Sequence, residues 1–359
     1  MYSGKLKILS TLVLSAIPAL AFGPVPEMPR FRWESFTTTN GLPSSRVFSV
    51  CVDGDRVWAG TENGLAAYQN GRWAVYTPKE GLAHRVVLQV TVDKRTGDVW
   101  IATMGGLSRF SAGRFDNYTQ VNSGLPNDVV YGVSVQGTYV WAATAAGAGR
   151  LNTSTGQWEL FNDRNTPMYE IWTYAVQSGA GKTFFAVWGS GVIEYDTKTG
   201  RWTSYSDPDG ETEIVASKDR GLIHDITTSV SWVEAENILW VATYFGASRF
   251  DGRKWKNFLD KDSGLPSNFL NQVKALEGDR VWFSTDKGLA YYDNGKWAVY
   301  RPVLDTRKPE MFVRDELGIV TSIPTETAPA HNYVFGVDFQ NDDIWVATAQ
   351  GLSHGIRIR

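Results

Sequence analysis

Three of the chain's four histidines, and one glutamate, fall at a single recurring place. Six residues before each of the valines Val50, Val90, Val133, Val176, Val230, Val273 and Val337 stand Ser44, His84, Asn127, Glu170, His224, Ser267 and His331. Imidazole nitrogen suits borderline transition metals. Three histidines with a carboxylate form a donor set for zinc, copper, iron or nickel, whereas calcium and magnesium prefer oxygen. If the seven places encircle one axis, the histidines at the second, fifth and seventh are three, two and two steps apart and converge on that axis, with Glu170 between His84 and His224. A metal so held, with a coordination position open and Glu170 as acid or base, would support ligand binding or metal-assisted lysis or hydrolysis. His354 falls outside this pattern.

What positions these residues is a repeat. The segments VWAGTENG (57–64), VWIATMGG (99–106), VWAATAAG (140–147), FFAVWGSG (184–191), LWVATYFG (239–246), VWFSTDKG (281–288) and IWVATAQG (344–351) are seven copies of one pattern. Around each lie short runs of period-two alternation, separated by turn pairs such as Asp53-Gly54, Asn63-Gly64 and Asn70-Gly71, which predict strands and not helices. A repeat of four short strands, about 42 residues long, predicts an all-β chain: a seven-bladed β-propeller. The aromatics Trp58, Trp100, Trp141, Phe185, Trp240, Trp282 and Trp345 then act as wedges between blades. The glycines ending each segment supply a left-handed turn residue. The seventh copy lacks a fourth strand after Leu352–Ile358, and Arg32–Thr38 (RWESFTT) matches the outer strand RWAVYTP at 72–78. The N-terminal strand is therefore expected to close the last blade.

The unit from Gly41 to Thr77, with Gly41-Leu42-Pro43, Gly124-Leu125-Pro126, Gly264-Leu265-Pro266 and their downstream Trp and Gly segments, resembles the two-component regulator propeller repeat. The resemblance covers nearly all of the chain after residue 21. It implies an extracytoplasmic sensory propeller of the kind carried by bacterial hybrid histidine kinases, here as a stand-alone secreted member without the kinase portion. Such a chain must hand any sensed state to a partner.

Composition fits that setting. The formal net charge is −3 with no basic stripe, which argues against a nucleic-acid partner. Lys5 and Lys7 precede an apolar run from Ile8 to Leu20, and Ala19-Leu20-Ala21 is a small-x-small cleavage site. Residues 1–21 are read as a signal peptide and 22–359 as the propeller, periplasmic or secreted and without stable membrane insertion. The single cysteine, Cys51, excludes a disulfide framework and is expected to be buried as a small hydrophobe. No nucleophile elbow, phosphate loop or dinucleotide fingerprint is present. Extra sequence before the Trp strands of blades 5 and 7, Asp207–Arg220 and Pro302–Ala330, leads into the places of His224 and His331. The rim carrying these insertions is expected to meet a small ligand or a protein, with Met168, Tyr169, Glu310, Met311 and Asp315 along the approach. A structural protein-interaction scaffold is the remaining alternative.

Overall fold

Every repeat folds as its alternation predicts. In the first blade Val47–Asp53, Arg56–Thr61, Gly64–Gln69 and Arg72–Tyr76 form, from inside to outside, a four-stranded antiparallel sheet, and the seven sheets make a seven-bladed propeller. The structure, a computed structural model, describes residues 27–210, 219–302 and 309–358, so the expected leader lies outside the described residues. The second strand of each blade is buried on both faces because it is sandwiched between neighbouring sheets. Trp58, Trp100, Trp141, Trp240, Trp282 and Trp345 are all at most 3% exposed, and in blade 4 the register gives the wedge position to Phe184, opposite Gln177 and packed against blade 5, one residue before the Phe185 expected from sequence. Trp58, for example, packs with Leu82, Val87, Val90 and Ile101 of the next blade, the wedge role expected of it.

The recurring threonine and glycine form one device. Thr61 Oγ1 donates to the Gly64 carbonyl at 2.7 Å and accepts from Asn63 N at 3.1 Å, tying off the turn after the Trp strand. Gly106, in the same turn of blade 2, has φ 127°, and a Cβ there would sit 2.6 Å from the Tyr118 carbonyl oxygen. Only glycine fits. In blade 4, where the threonine is replaced by Val187, Thr227 of blade 5 donates instead to Gly191 O at 2.8 Å.

Both chain ends build the last blade, as expected from sequence. Arg30–Phe36 pairs antiparallel with Gly351–Ile358, Trp33 opposite Gly355, outside Asp343–Thr348 and Val334–Gln340. The second insertion departs from expectation. Most of Pro302–Ala330 does not crown the mouth of blade 7. Glu310–Arg314 and Val320–Pro324 instead form a hairpin that extends blade 6 outward to six strands. Burial explains it: Met311 and Val313, 2% and 1% exposed, pack with Met28 and with Phe31 and Trp33 of the closing strand. Glu310, Met311 and Asp315 therefore belong to the outer edge and line no approach to the axis.

The inner strand of each blade has one edge with no neighbouring strand, and side chains from the adjacent blade satisfy it. Gln89 Oε1 accepts from Val133 N at 2.6 Å, Gln177 Oε1 from Trp232 N at 2.6 Å, Gln272 Oε1 from Val337 N at 2.7 Å and Asp338 Oδ2 from Val52 N at 2.7 Å. Cys51, on the first of these strands, is half-buried, and its thiol is pushed up to about 12, chiefly by burial and next by the charge of Asp338. It is an inert packing residue.

Candidate functional site

The shared position of the histidines is a turn cap. His84 Nδ1 accepts from Val86 N at 3.1 Å, His224 Nδ1 from Ile226 N at 3.0 Å and His331 Nδ1 from Tyr333 N at 2.9 Å. Ser44, Asn127 and Ser267 do the same with Oγ or Oδ1, accepting from Arg46, Val129 and Phe269. His224 is 3% exposed and stacks on Phe245 at 4.0 Å. Glu170 is exposed, and its backbone exchanges hydrogen bonds with the Ser190 hydroxyl. Among the described residues no three His, Cys, Asp or Glu side chains stand together as a metal ion requires. Met168, 3% exposed, fills the core place that Leu82 and Leu125 fill elsewhere.

Just beyond that cap the structure assembles a different site. At the start of every inner strand the register with the Trp strand shifts by one residue, between Val47 and Ser49, Val87 and Gln89, Val130 and Gly132, Thr173 and Ala175, Thr227 and Ser229, Leu270 and Gln272, and Val334 and Gly336. Such a bulge leaves the intervening residue out of the ladder and re-aims its side chain. The seven residues so released are Phe48, Leu88, Tyr131, Tyr174, Thr228, Asn271 and Phe335, and all line one axial cavity of about 210 Å³.

Two further rings stand above it. The residue after the recurring threonine donates its N–H to the carbonyl of the residue preceding the inner strand in all seven blades, as in Trp188 N to Trp172 O at 2.8 Å, Tyr244 N to Ile226 O at 3.2 Å and Asp286 N to Phe269 O at 3.4 Å. The rings of these positions and of the bulges touch one another in an arc. Tyr131 stacks on Tyr174 (4.7 Å) and Tyr174 on Trp188 (5.3 Å), while Trp188 meets Tyr244 edge-on (5.2 Å). Tyr244 stacks on Phe269 (3.9 Å), Phe269 approaches Tyr333 (6.3 Å), and Tyr333 leads through Phe335 (4.8 Å) to Phe48 (5.2 Å). Blades 3 to 7 and blade 1 thus contribute to one aromatic mouth. Trp172, half exposed, stands in the same set of positions.

Electrostatically the mouth holds its phenols neutral. Burial raises Tyr131, Tyr174 and Tyr333 above the usual value and takes Tyr244 to about 12, with Tyr174 and Tyr333 as the next contributors for Tyr244. The faces of neutral phenol, indole and benzene rings offer apolar area and negative π density. Sequence reasoning missed this ring because alternation identifies faces and not bulges. The signal was nevertheless present: Phe48, Tyr131, Tyr174 and Phe335 each stand two residues before the inner-strand valine.

A larger cavity, about 550 Å³, lies at the outer edge between the added hairpin and the closing strand, lined by Phe31, Trp33, Met311, Ile323 and Ile356 among others. The axial mouth is complete within described residues.

Comparison with known proteins places the fold. No family model matches the chain, and no curated protein matches it. Among solved structures it is similar to an extracellular domain assigned to the hybrid two component system BT3049 of B. thetaiotaomicron (TM-score 0.67, 16% identity, 90% of this chain and 42% of that one). It is likewise similar to the extracellular domain of BT4673 from the same organism (TM-score 0.64, 16% identity, 90% of this chain and 39% of that one). A streptogramin B lyase structure aligns over 91% of this chain and 98% of its own length (TM-score 0.63, 16% identity). The chain spans about two fifths of the length of the two-component-system domains. At these identities the likeness is one of fold.

Proposed function

We propose that this chain is an exported recognition module that binds a small ligand at the axial mouth, in the manner of a sensor domain, and presents the occupied state to a partner. The carrying observation is the continuous arc of aromatic contacts from Tyr131 to Phe48 at the open end of the channel. A propeller needs no aromatic there for stability, since the wedges between blades already supply its core. A concavity of aromatic rings with polar groups among them, here Thr228, Asn271 and Gln272, offers both the apolar area and the orienting contacts of a small-molecule site. The extracellular setting of the two-component-system domains it resembles in fold, and the leader-like N-terminus, support export.

Thermal-shift screening of a small-molecule collection tests the reading. A compound that raises the wild-type Tm is expected to lose its effect in Tyr174→Ala and Tyr244→Ala and to keep it in Ile323→Ala, at the outer cavity. Retention in the mouth variants with loss in Ile323→Ala would move the site to the outer edge and overturn the proposal.

A further inference from the structure

The charge inside the mouth points to the class of ligand. Among the three rings of positions that build it, only Arg46, Glu62 and Asp286 are charged. Arg46 and Glu62 neighbour one another at 3.5 Å in blade 1 and offset each other. Asp286 stands in blade 6 at the place that Trp188 and Tyr244 occupy in blades 4 and 5, and its Oδ1 is buried with no hydrogen-bond donor among the described residues. Its charge reaches the site: after burial, it is the next cause of the raised Tyr333 phenol. Asn332, adjacent to Tyr333 in sequence, has a second buried acceptor oxygen without a donor among the described residues.

A buried carboxylate oxygen without a donor is costly and is relieved by a cation that brings its own donors or charge. Aromatic faces attract the same species. A neutral ligand would gain the stacking and could donate a hydrogen bond to the carboxylate, but it would not balance its charge. An anion would meet Asp286 and the negative ring faces together.

We propose that the axial mouth binds a small organic cation, an ammonium group with alkyl substituents, caged by Tyr174, Trp188, Tyr244, Phe269 and Tyr333 and charge-matched by Asp286. This rests on the mouth being the ligand site, and the two claims separate experimentally. Calorimetric titration of the whole protein would compare butylammonium and choline with 3,3-dimethylbutan-1-ol, the neutral isostere of choline. Both cations are expected to bind, with choline at least about tenfold tighter than the alcohol. Asp286→Asn is expected to remove most of that preference, while Tyr244→Ala weakens cation and alcohol alike. Equal binding of choline and alcohol, or an unchanged preference in a folded Asp286→Asn protein, would overturn the cation inference and leave the mouth as a site for another ligand. Cation binding indifferent to Tyr244→Ala would instead remove the mouth as the site. No binding of either cation at millimolar concentration would overturn the cation inference outright. Circular dichroism of both variants guards against misfolding, and Asp286→Glu, which keeps the charge, is expected to recover part of the preference.

Discussion

A side chain that accepts a hydrogen bond from the backbone two residues ahead can be serine, asparagine or histidine, and all three appear at the cap before the inner strand. Sequence alignment identified the shared position of His84, His224 and His331 but not its role, because spacing shows equivalence and not which ring nitrogen is engaged. The shared cap gives an expectation at this scale. His84→Asn keeps an acceptor, as Asn127 does in the next blade, and should leave stability within about 0.5 kcal/mol, whereas His84→Ala should cost about 1 kcal/mol. Chemical denaturation measures both, and an alanine variant as stable as wild type would refute the capping role. Asp207 supplies the second expectation. Its carboxyl is raised to about 7, chiefly by burial and next by the Asp209 carboxyl, with Asp225 also contributing. The folded state therefore holds a proton that the unfolded chain releases above its own value of about 3.9. Stability contributed by this group falls as pH rises from about 4 to 7 and is level outside that window. Tm measured against pH should decline less for Asp207→Asn than for wild type across that range; parallel curves would contradict the assignment.

Strands and turns were the most legible elements, since alternation, the Thr–Gly device and the glycine at each turn are local consequences of local sequence. Two features were not. Bulges at the start of the inner strands change which way Tyr131 or Phe335 faces without altering the alternation beyond them, so the aromatic mouth was hidden behind a correct strand assignment. The fate of Pro302–Ala330 depended on a nonlocal partner: Met311 and Val313 are buried only because the N-terminal strand brings Phe31 and Trp33 beside them. Met311→Ala should accordingly cost about 2–5 kcal/mol, the range for truncating a buried side chain of this size, measured by urea unfolding. A loss under about 0.5 kcal/mol would show the hairpin to be a loose appendage. Its tip exposes Leu317 and Val320, so this element is fastened by its base.

Viewed as a whole, the chain is seven copies of one unit whose closure was readable from the missing fourth strand of the seventh copy and the match of Arg32–Thr38 to residues 72–78, while the proposed ligand site arises only from several blades together. No single repeat encodes a mouth; the arc passes through blades 3, 4, 5, 6, 7 and 1. Ring closure is what turns seven separate bulge residues into one concave surface. The most direct test is a crystal structure of the protein soaked with choline. The account expects electron density for the trimethylammonium group between Tyr174, Tyr244 and Tyr333, on the side of Asp286. Density confined to the outer cavity beside Phe31 and Ile323, or an axial mouth that stays free of choline at saturating concentration, would contradict it.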